Sequence, residues 1–347
     1  MDEMPGVLGF FGLKEQPFAA TADPAYLYST RTHKECLFRV WSSIEQRHGI
    51  AVVLGNYGSG KTSMLRKILS TMRAEPTLYN TAVIGSPIPS WTSFALLEAM
   101  VNQFGIEPPK RSFMEYMDAL NRYLLANRDR VNTLIIDDAQ NLNKRGQLEL
   151  LRLAQNLETQ QHKLLNLVFF AQMEWMQVLE AAPNFAQRVN LTYMLSDLDF
   201  EDIRLMIDYR VKQAGASGID EVFDPRAVQI IHEYAEGSPR VTITICRNSL
   251  VVSERLRTKP ISPEIVVHTI EKTMLPDARK RARLAAYMVP RQTAVSPVAW
   301  REVRDVVQGP ETPAPARNQM TNEQRANEML LKALRSKNSP FSSPETT

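Results

Sequence analysis

Gly55-Asn56-Tyr57-Gly58-Ser59-Gly60-Lys61-Thr62 fits the pattern GxxxxGK[ST] at every fixed position. It follows an apolar run at residues 50–54 and precedes a helix-forming run at residues 63–71. That is the setting phosphate binding requires. The glycines let successive backbone N–H groups turn toward one anion, and the start of a helix adds partial positive charge. Lys61 can then reach β- and γ-oxygens, and Thr62 can ligate Mg²⁺. Residues 55–62, with the neighbouring Ser63, are therefore the expected cradle for ATP.

Around this stretch, strand-like apolar runs alternate with helix-period segments, as in a parallel sheet with crossover helices. Strands are expected at residues 50–54, 78–84, 133–136, 165–170 and 191–194. The first, third and fourth are apolar on both faces, which a covered central strand requires. From Asp199 onward strands give way to four helices. Asp199 is the expected cap of the first, and Asp224-Pro225, Ser238-Pro239 and Ser262-Pro263 open the others. The expected fold is α/β: a P-loop nucleotide-binding core with a parallel sheet, a helical lid and a disordered tail. In residue terms, 1–48 leads into the nucleotide pocket, 49–198 is the α/β domain, 199–288 the lid and 289–347 the tail. Seven of the 21 prolines fall in that tail, with few aromatics, so it lacks the apolar surface that offsets ordering entropy. Within it, residues 321–335 form either a docking helix or a nascent helix that binds nothing.

A phosphate cradle needs a carboxylate on the metal side, and Thr133-Leu-Ile-Ile-Asp137-Asp138 offers one where α/β sheets place their ligands, past the end of a strand. Asp137 is the expected Mg²⁺-side group; the alternative for Asp137 and Asp138 is a pair of acidic residues capping the next helix. Gln172 ends the run beginning at Leu165 and would sense the γ-phosphate if its strand adjoins that of Asp137; otherwise it is a turn residue. Arg188 and Arg240 suit lid chemistry or action on a neighbouring subunit's phosphates, where an arginine can be worth several orders of magnitude in rate; the alternative for both is a surface arginine.

Composition narrows the classes. The chain of 347 residues has a net charge of +3 and no run of about 18 apolar residues that could span a bilayer. Its N-terminus is acidic where a secretory signal is basic. Cytoplasmic location without a membrane is the expectation. Two cysteines without a CxxC, and five scattered histidines without an HExxH, argue against a disulfide scaffold or a zinc enzyme. Basic pairs at Lys110-Arg111 and Lys144-Arg145, and the stretch at residues 279–283, are either solvated faces or places for duplex phosphates. Trp91, Phe94 and Phe113 are at helical spacing and suit a core better than base stacking.

With these motifs placed, the chain resembles the ExeA/GspA-like AAA+ ATPases, a group close to the TniB/TnsC-type transposition ATPases. The resemblance is carried by Phe11-Gly-Leu-Lys-Glu-Gln-Pro-Phe18 with Asp23-Pro24, the P-loop, Ile136-Asp-Asp-Ala-Gln140, residues 147–159, and Gly237-Ser-Pro-Arg240. It implies a sensor 1 role for Gln172, a sensor 2 role for Arg240 and an arginine-finger role for Arg188. Asp138 stands where that group usually carries the glutamate that polarises attacking water, one methylene shorter, so slow hydrolysis is expected. Secretion members continue into a membrane helix, and the lack of such a run tilts the expectation toward the DNA branch. The chain is then expected to form a homo-oligomer, a ring or filament of six or more subunits per turn. It would assemble on duplex DNA of any sequence in the ATP state and recruit a transposase or targeting protein. Two alternatives share the same site: a secretion or pilus-assembly ATPase acting on protein partners, and a nucleotide switch with little turnover.

Overall fold

A computed structural model describes residues 6–19, 26, 28–107 and 111–275. The expected tail, its segment at residues 321–335, the basic stretch at residues 279–283 and Lys110 lie outside the described residues.

The chain opens with α1 (Val7–Phe11) and α2 (Arg31–Glu45). It then alternates through β1 (Ile50–Gly55), α3 (Lys61–Ala74), β2 (Tyr79–Ile84), α4 (Ser93–Gln103), α5 (Phe113–Ala126), β3 (Val131–Ile136), α6 (Arg145–Gln155) and β4 (Asn166–Ala171). Two short helices, α7 (Trp175–Glu180) and α8 (Pro183–Ala186), lead to β5 (Val189–Leu195). Helices α9 (Phe200–Gln213), α10 (Pro225–Ala235), α11 (Pro239–Arg255) and α12 (Pro263–Thr273) follow.

The strands pair in parallel in the order β2-β3-β4-β1-β5. Both faces are covered, and the alternation along each strand shows how. Ile50, Val52 and Leu54 of β1 join Leu167 and Phe169 of β4 in one apolar cluster with α4, α5 and α6. Ala51 and Val53, with Val168 and Phe170, point the other way onto α2 and α3. A third cluster is helical, formed by α9 to α12 together with Phe11, Leu13 and Phe18. The N-terminal stretch therefore divides: residues 7–18 pack into the helical cluster, where Lys14 N donates to Ala214 O at 2.7 Å, and α2 packs on the sheet.

Caps and first-turn prolines mark where these helices begin, although Ser238 and Ser262, ahead of α11 and α12, make no side-chain cap bond. Asp199 and Asp224 accept backbone N–H bonds at 2.7 Å from Asp202 and Arg226, and Pro225, Pro239 and Pro263 occupy first-turn positions. Strand ends differ from sequence expectation for physical reasons. β3 starts at Val131 because Asn132, a polar break in the pattern, is buried and accepts from Asn80 Nδ2 at 2.7 Å. β5 starts at Val189 because, as an edge strand, it alternates half-buried and exposed residues before Leu195, a pattern that hides a strand from an apolar-run search.

Candidate nucleotide site

The cradle grows from the end of β1. Gly58 and Gly60 have φ of +81° and +94°, a region costly for any residue with a Cβ. Space is as restrictive as conformation: a Cβ on Gly58 would lie 2.7 Å from Arg240 Cβ, and one on Gly60 would lie 3.0 Å from His33 Nε2. Lys61 enters the first turn of α3 with its ammonium buried, donating to Gly55 O and Asn56 O at 2.8 Å each. Burial lowers its pKa, and Asp137 foremost among nearby carboxylates opposes that shift.

Register assembles the rest. β4 lies between β3 and β1, with Ile136 opposite Phe169 and Leu54 opposite Ala171. Asp137, Gln172 and Gly55 thus leave three adjacent strands at one edge of the sheet. Thr62 Oγ1 donates to Asp137 Oδ2 at 2.8 Å. Burial raises the Asp137 pKa, and the Thr62 hydrogen bond opposes it. A buried ammonium pushed down and a buried carboxylate pushed up both favour a ligand bearing both signs: anionic phosphate beside Lys61 and a divalent cation beside Thr62 and Asp137. With the positive-φ glycines, this donor set fits Mg·ATP. Among the described residues no grouping of three or more His, Cys, Asp or Glu is suited to a metal.

Asp138 adopts φ +48°. Gln140 Nε2 donates to its Oδ1 at 3.0 Å, and Gln140 Oε1 accepts from Gln172 N at 3.1 Å. One amide therefore ties the Asp138 carboxylate to the end of β4. On the helical side, Arg240 Nη1 donates to Tyr57 Oη at 2.5 Å and its guanidinium lies 4.7 Å from that ring's centre. Asn56 Nδ2 donates to both Asp197 oxygens, at 3.1 and 2.9 Å. Both contacts join the cradle to the chain entering or forming the helical cluster.

Arg188 stands elsewhere. Val189 pairs with Ile50 at the start of β1, and Leu195 pairs with Gly55 at its end. Arg188 is therefore at the opposite edge of the sheet, about 20 Å along the strand from its own cradle. Of the basic candidates, Arg111 and Arg145 are exposed. Lys144 is exposed too, but its Nζ donates to Ser90 O and Trp91 O at 2.9 and 3.2 Å, holding the chain before α4. Trp91 and Phe113 pack against the sheet's cluster, and Phe94 meets Tyr116 edge-on at 5.4 Å.

Sequence reasoning missed His33, Gln140 as a tie, Asp197 and the Tyr57–Arg240 stack. Gln140 lay within a quoted motif, so its position was visible while its partners were not. His33 and Asp197 belong to no motif, and their signal is spatial.

Residues 44–179 match the AAA domain family. The chain is 33% identical over 249 residues to General secretion pathway protein A of Aeromonas hydrophila, a match covering 70% of this chain and 44% of that protein's length. Two solved structures share the fold. The ORC2 protein of Aeropyrum pernix, in ADPNP–ADP complexes, aligns with a TM-score of 0.58 at 15% identity, covering 93% of this chain and 90% of that one. Drosophila ORC bound to DNA aligns at 0.59 and 16% identity, covering 97% and 86%. The domain match and the secretion-protein similarity support an ATPase. Among the described residues no helix is long and apolar enough to cross a membrane. The chain carries an AAA domain on the AAA+ P-loop α/β fold.

Proposed function

We propose that this protein hydrolyses ATP as part of an oligomer, each site being completed by an arginine from a neighbouring copy. The observation that carries the reading is the Thr62 Oγ1–Asp137 Oδ2 contact of 2.8 Å beside the buried Lys61. Residues 55–63 would hold the phosphates, with Thr62 and Asp137 on the metal side. Bound Mg²⁺ would supply charge neutralisation across the phosphate oxygens. Asp138, held by Gln140, would orient the attacking water. Gln172 and Arg240 would register the phosphate end of the nucleotide, as a polar group and a cation.

Arg188 cannot reach its own cradle across about 20 Å of strand, so any role in catalysis is in trans. Turnover of Mg·ATP should then rise more steeply than linearly with protein concentration and vanish in Lys61→Ala. Linear turnover indifferent to Arg188→Ala would refute the shared site. Tight Mg·ATP binding with negligible turnover would favour the nucleotide-switch reading instead.

For the output, assembly on duplex DNA with recruitment of a transposase or targeting protein is supported by exposed Arg111 and Arg145. The similarity to General secretion pathway protein A favours the second output, action on protein partners. Binding to random-sequence duplex over a salt series separates them: ATP-dependent binding that falls steeply with salt supports the DNA output, and its absence in every nucleotide state supports the protein output.

A further inference from the structure

His33 lies in no motif, yet it is 3% exposed and directly beneath the cradle. Its Nε2 is 3.0 Å from Ser59 O, and its Nδ1 is 2.6 Å from Thr30 Oγ1. A carbonyl oxygen only accepts, so Nε2 carries the proton. Burial lowers the imidazole's pKa, which leaves Nδ1 free to accept from the Thr30 hydroxyl. Thr30 is itself fixed, because it caps α2 by accepting from His33 N at 3.3 Å.

The carbonyl that His33 holds belongs to the peptide joining Ser59 to Gly60. In a planar trans peptide the C=O and the following N–H point in opposite directions. Drawing Ser59 O down toward α2 therefore turns Gly60 N–H up, into the concavity of the cradle. The ring also occupies the space a Gly60 side chain would need, with Nε2 3.0 Å from a Cβ built there, so the peptide is held by a hydrogen bond and by contact together.

We propose that His33 is a positioning residue for phosphate binding: its Nε2–H fixes the Ser59–Gly60 peptide so that Gly60 N–H faces the nucleotide's phosphate. This rests on the nucleotide-site reading above. It assigns to α2 a part in nucleotide affinity that no residue of the GxxxxGK[ST] stretch supplies.

The test uses the full chain and Mg·ATP or ADP as probe. His33→Leu fills space without a donor, whereas His33→Gln places an amide N–H at the same bond count from Cα as Nε2. His33→Leu should weaken ATP and ADP alike by about tenfold to a hundredfold, the loss expected for one hydrogen bond to a charged group. His33→Gln should stay within about threefold of the natural chain, a rescue that mere packing would not produce. Natural affinity in His33→Leu, or equal losses in both variants, would overturn the proposal. Should His33→Leu fail to fold, ¹⁵N NMR of the natural chain's imidazole decides: a neutral ring protonated at Nε2 supports the assignment, and protonation at Nδ1 overturns it. A natural chain that binds no Mg·ATP would instead sink the nucleotide-site reading itself, an outcome distinct from a chain that binds but ignores His33.

Discussion

Gly58→Ala probes the contact between the cradle and the helical cluster. Gly58 has φ +81°, and a Cβ in that region costs about 1 kcal/mol. The new methyl would also lie 2.7 Å from Arg240 Cβ. That neighbour sits beside the backbone of α11, so it cannot swing aside as a side-chain tip would, and relieving the overlap should cost about 1–3 kcal/mol. The single variant should therefore lose about 2–4 kcal/mol in a urea unfolding titration. Arg240→Gly removes the opposing Cβ while costing α11 about 1 kcal/mol as a first-turn glycine. In that background Gly58→Ala should cost only the backbone share, leaving a coupling of about 1–3 kcal/mol in the double-mutant cycle. Additivity within about 0.5 kcal/mol would refute the reasoning, because it would mean the two backbones do not meet.

Mixing Lys61→Ala with Arg188→Ala should restore part of the ATP turnover that each lacks alone, since intact cradles would then meet intact arginines; a mixture as silent as its parts would place Arg188 outside catalysis. Asp138→Asn should lower kcat by about a hundredfold with little change in ATP affinity, the usual scale for removing a general base. Thermal stability should fall faster between pH 7 and 5 in the natural chain than in His33→Gln. The unfolded imidazole takes up a proton near pH 6.5, whereas burial lowers the folded value. The unfolded state thus binds more protons, and the contribution present above about pH 6.5 is lost as pH falls. Asp202, the carboxylate that opposes this shift, is common to both chains, as is His268, also lowered by burial. Asp224→Ala should destabilise by about 1 kcal/mol in a urea titration through loss of the α10 cap.

Much of the sheet was legible because burial on both faces writes itself as uninterrupted apolar runs, as at Ile50 to Leu54. The starts of α9 and α10 were legible because capping chemistry is local, a side chain answering an N–H two or three residues on, and those of α11 and α12 through their first-turn prolines. What escaped was pairing between distant residues. Asn132 broke an apolar pattern only because its partner, Asn80 of the adjacent strand, could not be seen. The P-loop glycines announced a cradle, but the reason Gly60 has no side chain lies partly in His33 of α2, and the reason Gly58 has none lies partly in Arg240 of α11. Lys144, grouped with Arg145 as either a solvated face or a place for duplex phosphates, has two carbonyl partners before α4, a use of its charge that no local pattern signals. Cys36 and Cys246 are both buried thiols, and desolvation pushes Cys36 up to about 12.

The most direct test of the account is calorimetric titration of the full chain with ATP, with and without Mg²⁺, set beside Lys61→Ala and Asp137→Asn. Saturable binding to the natural chain is expected, with its loss in Lys61→Ala and loss of the Mg²⁺-dependent gain in Asp137→Asn. Binding that persists unchanged in Lys61→Ala would contradict it, because the nucleotide would then lie somewhere other than the cradle at the end of β1.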